Sequence, residues 1–220
     1  MMKAVIFDVD GTLVDSNELH VEAWDIAFKK FGFNFPIEQL RSQIGKGSDQ
    51  YIPAFLTADQ VKEFGKELDK YRSKLFQDDF LPRVQPFPEV RTLFRRVQAD
   101  GKKIALASSG KGEEVEHYKK ICRIENLVDC EITSDDADSS KPAPDVFEAS
   151  LKKMKLEPAE AVAVGDTRFD AEAAGKTGIK AVGLVCGGMS AEVLREAGMI
   201  AVYRDPADLL AHYDASPLAR

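Results

Sequence analysis

Apolar positions change rhythm twice along this chain. From Lys3 to Phe7 they run almost unbroken, the pattern of a strand buried on both faces of a parallel sheet. The run then breaks at once into Asp8-Val9-Asp10-Gly11-Thr12. From Asp15 to about Leu81 the spacing is helical: Leu19, Ala23, Ala27 and Phe31 mark one helix, capped by Asp15 or Ser16 and stopped at Gly32. Thr57-Ala58-Asp59-Gln60 reads as a capping box. It opens a second helix in which Val61, Phe64, Leu68, Tyr71 and Leu75 form the apolar stripe, while Lys62, Glu63, Lys66, Glu67 and Lys70 face solvent. After Leu81-Pro82, helices and short apolar strands alternate. Helices are expected at about Pro88–Ala99, Gly112–Ile121, Asp145–Met154 and Phe169–Lys176. Strands are expected at Lys103–Ala107, Cys130–Thr133, Ala161–Val164 and Ala181–Val185, with a last strand and helix near the end.

Such alternation implies an α/β fold, a doubly wound, Rossmann-like parallel sheet covered on both faces by right-handed crossovers. The first strand belongs to that sheet, so the helical stretch interrupts a single domain. Residues 1–15 and 82–220 are expected to form the α/β core and residues 16–81 an inserted, all-helical cap.

Composition narrows the function classes. The 220 residues are 44% hydrophobic, enough for a real core. Thirty basic residues against 37 acidic ones leave a net charge of -7, which excludes the basic stripe of a nucleic-acid binder and the polybasic patch of a membrane binder. A small anionic substrate would need local attraction from lysines or a metal, because the global field opposes it. Cys122, Cys130 and Cys186 are odd in number, lack metal-ligand spacing and fit reduced thiols. No apolar segment approaches the ~20 residues of a membrane span. Cytoplasm is the expected compartment.

Four strand ends carry candidate chemistry. Asp8 and Asp10, at i and i+2, can face one crevice with Val9 turned back into the core. Two carboxylates so close need a cation or a proton between them. Gly11 lets the chain turn tightly and bring its amide near an anion; the bland alternative is an Asp-Gly turn after a core strand. Ser108-Ser109-Gly110-Lys111-Gly112 offers hydroxyls and free amides to a phosphate, or simply caps a helix. Lys141-Pro142 holds a lysine in a rigid turn, although most single lysines are merely solvated. Gly165-Asp166 through Asp170 sets two acids four residues apart after another strand, where Asp also caps helices.

In this order the four segments resemble the motifs of the haloacid dehalogenase-like hydrolase superfamily, in its helical-cap subgroup of phosphoglycolate phosphatase-like and β-phosphoglucomutase-like members. The resemblance spans essentially the whole chain. It implies that Asp8 is a nucleophile attacking phosphorus to form an aspartyl-phosphate. Asp10 would protonate the leaving alkoxide and later take a proton from the hydrolytic water. It further implies Mg²⁺ bound through Asp8, the backbone carbonyl of Asp10 and Asp166, with Asp170 a ligand through water or an orienting acid. Ser108 and Lys141 would hold the phosphoryl oxygens, with Gly11, Thr12 and Ser109 of the same motifs beside them, and Lys141 would also offset the charge of Asp8.

The implied activity is Mg²⁺-dependent hydrolysis of a small phosphomonoester metabolite, a sugar phosphate or a phosphorylated carboxylic acid. The expected partner is that metabolite, with neither nucleic acid nor membrane, in a monomer or weak homodimer. Dehalogenases and phosphonate-cleaving relatives lack an acid at the position of Asp10, so both readings lose ground. A sugar-phosphate mutase is the rival, because the cap, Lys111 and His20 resemble the β-phosphoglucomutase branch. His20 would be a hinge group sensing Asp10 or Asp15, or else an unremarkable helix histidine near solvent. Specificity is expected in the flexible cap turn Ile44–Gln50, where Lys46 would meet the substrate or stay solvated. Mutases carry an arginine in this turn; none lies between Gly45 and Gln50, and Arg41 just before it is the available substitute. A catalytically idle binding module on the same fold would have lost Asp8, Asp10 or Asp166, and all three are present.

Overall fold

In a computed structural model, which describes residues 2–219, the opening apolar run forms β1 (Ala4–Phe7). The chain then makes β2 (Val14–Asp15) and enters a helical segment. This comprises α1 (Asn17–Lys30), α2 (Ile37–Arg41), α3 (Ser48–Tyr51) and α4 (Ala58–Leu75), extended by a π-helical turn at Phe76–Phe80 and a 3-10 turn at Leu81–Arg83. β3 (Gln85–Pro86) pairs antiparallel with β2, so the two crossings between the helical segment and the sheet lie side by side. Alternation follows: α5 (Val90–Ala99), β4 (Lys103–Ala107), α6 (Gly112–Cys122), β5 (Cys130–Ile132), α7 (Asp145–Met154), β6 (Ala161–Gly165), α8 (Arg168–Thr177), β7 (Lys180–Leu184), α9 (Ala191–Glu196), β8 (Ala201–Tyr203) and α10 (Pro206–Ala211).

The six long strands form one parallel sheet in the order β5-β4-β1-β6-β7-β8. The chain winds outward from β1 to β5, returns to β6 on the other side of β1, and winds outward again. Open α/β sheets bind ligands in the crevice at the carboxyl ends of the strands where the order reverses. Phe7 stands beside Leu106 of β4 and Val164 of β6, so Asp8, Ser108 and Asp166 leave the sheet at one edge.

Both faces of the sheet are buried, as the uninterrupted apolar runs require. On one face Val5, Phe7, Ile104, Leu106, Val162 and Val164 pack with α5 and α6. On the other, Ala4, Ile6, Ala105, Ala107, Ala161 and Ala163 meet α7 and α8. The small side chains there let two helices lie close to the strands. The helical segment has a cluster of its own around Trp24, Phe28, Leu40, Tyr51 and Leu68.

Several boundaries depart from expectation. The Thr57–Gln60 capping box forms in both directions, but Ser16, at the cap position of α1, makes no side-chain cap; its hydroxyl donates to Asp10 instead. The helix expected from Pro88 starts at Val90, because Glu89 takes a left-handed conformation, φ 63°. The turn Ile44–Gln50 is not wholly a loop: the Gly47 carbonyl accepts from the amides of Gln50 and Tyr51, and α3 starts at Ser48. β2, β3, α2 and α9 are too short to show a period.

Candidate active site

Three carboxylates, Asp8, Asp166 and Asp170, converge beyond the ends of β1 and β6, all buried, with one oxygen of each within 4.8 Å of the others. Asp8 Oδ1 accepts from Lys141 Nζ at 2.5 Å and Oδ2 from the Thr12 hydroxyl at 2.9 Å. The same hydroxyl lies 3.1 Å from Asp166 Oδ1, so its one proton is shared between two acids. Asp166 Oδ2 accepts from Asn17 Nδ2 at 2.8 Å. Asp170 Oδ2 accepts from the amide and hydroxyl of Thr167, and Oδ1 lies 2.7 Å from Lys141 Nζ. Lys141, 1% exposed, also donates to the carbonyl of Ala107. Its ammonium is thus held between Asp8, Asp170 and Ala107.

One ammonium cannot balance three buried carboxylates. Burial pushes Asp8 up to about 7 against the pull of Lys141, with Asp170 adding to the rise. Burial, then Asp8 and Asp170, drive Asp166 well above the carboxylate range. Uncompensated negative charge on hard oxygen donors is what a divalent cation neutralises, and the residues present fit one.

Asp10 lies in a different environment. Its Oδ1 accepts from Ser16 Oγ at 2.6 Å and from His20 Nε2 at 2.8 Å. Burial pushes Asp10 up, but His20, by charge and hydrogen bond, and the Ser16 hydroxyl outweigh it and hold the carboxyl at about 2. His20 is buried rather than near solvent. Its ring stacks on Phe76 with centroids 4.0 Å apart, and its Nδ1 meets the guanidinium of Arg72. That guanidinium lies over Trp24 and Phe76.

The phosphate-side expectations divide. The Gly11 amide, expected near an anion, donates to the Val14 carbonyl. Gly11 serves by its missing side chain: at φ 72° a Cβ would stand 2.3 Å from Asn17 Nδ2 and Asp166 Oδ2. Thr12 is spent on the two carboxylates, and its amide closes the turn onto Val9. The turn's hydrogen bonds use the amides of Gly11, Thr12, Leu13 and Val14, leaving those of Val9 and Asp10 outside it. Ser108 Oγ accepts from the Gly110 amide at 2.9 Å, so its proton is free to donate. The buried Ser109 hydroxyl has no partner.

Above this floor lies a cleft lined by Asp8, Asp10 and Ser109 from the core and by His20, Lys46 and Arg72 from the helical segment. Lys46 Nζ donates to Gln43 at 2.6 Å and sits over the Phe169 ring; burial, then Arg168, lower its pKa. Lys111 Nζ donates to Ser73 of α4 at 2.9 Å, joining the start of α6 to the helical segment. Arg41 pairs with Glu18 and Glu38 in solvent and does not stand in for a loop arginine.

Sequence reasoning missed four contributors. Ser16 and Asn17, next to the first motif, were within reach of it; Arg72 and the buried Glu114 carry no local signal, since only the fold brings α1, α4 and α6 together.

The haloacid dehalogenase-like hydrolase family matches residues 5–184. A phosphorylated carbohydrates phosphatase from Thermotoga maritima is 26% identical over 214 residues, covering 95% of this chain and 97% of that protein. A phosphoglycolate phosphatase from Aquifex aeolicus is 30% identical over 184 residues, covering 81% of this chain and 83% of that protein. Among solved structures, a hydrolase from Pseudomonas syringae superimposes with a TM-score of 0.84 at 28% identity, over 97% of this chain and 99% of the other. With its buried acids at the reversal of a doubly wound sheet and its match across most of its length, the chain belongs to the haloacid dehalogenase-like hydrolases.

Proposed function

We propose that this protein is a Mg²⁺-dependent phosphatase acting on a small phosphomonoester through a phosphorylated Asp8. The observation that carries the reading is the contrast between two acids two residues apart. Asp8 is paired with Lys141 inside the acidic cluster, whereas Asp10 is turned away to Ser16 and His20. A nucleophile and an acid/base group need such separate environments.

Asp8 attacks phosphorus as the ester P–O bond breaks, and the departing alkoxide takes a proton from Asp10 in its protonated form, the minor form while His20 and Ser16 hold the carboxyl at about 2. Water then attacks the aspartyl-phosphate, gives its proton to Asp10, and releases phosphate as the P–O bond to Asp8 breaks. Lys141 aligns Asp8 and pulls its carboxyl toward the ionised form against burial. The Ser108 and Ser109 hydroxyls and the Val9 and Asp10 amides are the donors for the phosphoryl oxygens. Asp8, Asp166, the Asp10 carbonyl and, directly or through water, Asp170 would hold Mg²⁺, which when bound supplies positive charge to the phosphoryl group. Residues 16–81 act as a cap over a core of 1–15 and 82–220. It excludes water and brings His20 and Lys46 to the cleft, where Lys111 of the core meets Ser73 of α4.

The relatives named for phosphorylated carbohydrates and phosphoglycolate support a small phosphorylated metabolite as substrate. Hydrolysis is favoured over mutase chemistry because Arg41 is committed to Glu18 and Glu38, and Lys46 and Lys111 are engaged by protein partners, leaving no built grip for a second phosphate. The reading places a monomer or weak homodimer in the cytoplasm; among the described residues no helix is long and apolar enough to cross a membrane. The test is phosphate release from a panel of hexose phosphates and phosphoglycolate with and without Mg²⁺, paired with Asp8→Asn. Release that needs Mg²⁺ and vanishes in the variant supports the reading. Turnover only in isomerisation assays primed with a bisphosphate would replace it with the mutase.

A further inference from the structure

The helical segment touches the third motif through a contact the mechanism does not use. Gly47 N donates to Ser140 Oγ at 2.9 Å, Ser140 Oγ donates to Asp49 Oδ1 at 2.5 Å, and Ser140 N donates to Asp49 Oδ2 at 3.0 Å. Both carboxylate oxygens and every hydrogen-bonding group of the serine side chain are engaged across 91 positions of sequence. The approach is close enough to exclude side chains: a Cβ on Gly47 would stand 2.7 Å from Ser140, and one on Gly45 2.8 Å from Thr167. Ser140 is buried although Asp49 is exposed. Its chain neighbour is Lys141, whose ammonium is fixed between Asp8 and Asp170.

We infer that Asp49 is a positioning residue, a clip that fastens the cap loop to Ser140 and so couples cap closure to the placement of Lys141 against Asp8. The inference rests on the phosphatase reading for its consequence, though not for its geometry. A carboxylate that grips both the amide and the hydroxyl of Ser140 restrains the backbone one residue from Lys141. When the cap lifts, that restraint goes, and the ammonium loses its alignment with the nucleophile. Displacement of a reacting group by an ångström is costly even when no catalytic atom is removed.

The experiment compares the full chain with Asp49→Ala, Asp49→Asn, Ser140→Ala and the Asp49→Ala/Ser140→Ala double variant, using Mg²⁺-dependent hydrolysis of p-nitrophenyl phosphate. Hydrogen exchange of the segments 45–51 and 139–143 is followed in parallel. The expected result is a fall in kcat of about tenfold in Asp49→Ala and Ser140→Ala. KM should move less than about threefold, Asp49→Asn should recover part of the loss, and the double variant should be no worse than the poorer single one. Exchange should quicken in both segments. A kcat within about twofold of wild type, or losses that multiply in the double variant, would overturn the inference. If wild-type protein hydrolyses no ester, the phosphatase reading fails by itself. The clip is then judged by exchange alone, and unchanged protection in Asp49→Ala overturns it.

Discussion

His20 Nε2 lies 2.8 Å from Asp10 Oδ1, joining the first helix of the helical segment to the carboxyl proposed as the acid/base group. The contact is held from behind by the stacked Phe76 ring and by Arg72. Cap position and the proton affinity of Asp10 are therefore linked. Burial alone would raise Asp10; His20 is the largest of the groups that bring it from 3.8 to about 2. Replacing His20 with Gln keeps a donor to Asp10 and removes the imidazole. Asp10 must hold a proton to meet the leaving alkoxide, so the alkaline limb of the kcat/KM profile should then move upward by about one pH unit. A profile that stays in place would show that Asp10 is set by other groups.

The acidic cluster ties stability to pH in the metal-free protein. Asp8 is raised from 3.8 to about 7, chiefly by burial, so the folded state holds a proton that the unfolded chain has released. Stability from this group is full below about 3.8 and is lost as pH rises through about 7. Chelated protein should unfold at lower denaturant concentration at pH 8 than at pH 5.5. Added Mg²⁺, binding the ionised acids of the folded state alone, should restore stability most at pH 8. Equal midpoints with and without Mg²⁺ would dissociate the cluster from metal binding.

Asn17 acts on the same cluster through Asp166. Its Nδ2 donates to Asp166 Oδ2 and to the Gly187 carbonyl, both at 2.8 Å. Asn17→Ala should leave the fold intact and weaken Mg²⁺ binding about 10- to 100-fold, the usual loss when a ligand's orienting partner is removed. Titration calorimetry with Mg²⁺ alone reads this directly, and unchanged affinity would remove Asn17 from the site.

Gly11 and Gly32 separate strain from collision. Both have positive φ, 72° and 84°, but a Cβ on Gly32 meets nothing within 4 Å, whereas one on Gly11 collides with Asn17 and Asp166. Gly32→Ala should cost about 1 kcal/mol. Gly11→Ala should cost at least about 2 kcal/mol more and impair Mg²⁺ binding as well. Denaturant titrations of the two variants make the comparison; similar losses would mean that the Gly11 turn yields without disturbing the acids.

Much of this site was legible in one dimension because three of the four motifs stand at the end of a strand and the fourth, at Lys141, in the loop beyond one. Asp8, Ser108 and Asp166 follow apolar runs whose period marks them as buried, and parallel strands in register put their ends at one edge. The long amphipathic helices were equally plain: α4 starts at its capping box and α1 stops before Gly32. The short elements β2, β3, α2 and α9 left no period to read. The actual duties of Gly11 and Thr12 also lay hidden, since a turn's hydrogen bonds depend on which neighbours come within reach.

The order of strands and helices, the interruption by helices and the placing of the polar motifs at strand ends or in the loops beyond them follow from the chain alone, because burial periodicity and turn chemistry are local properties. Which acids face one another, which pair with Lys141 and which with His20, were decided only by tertiary structure. So were Arg72 behind His20 and Asp49 on Ser140. Those pairings join positions dozens of residues apart, and their strength comes from burial together. Burial sets the Asp8 carboxyl near 7 and, outweighed by His20 and Ser16, leaves Asp10 near 2.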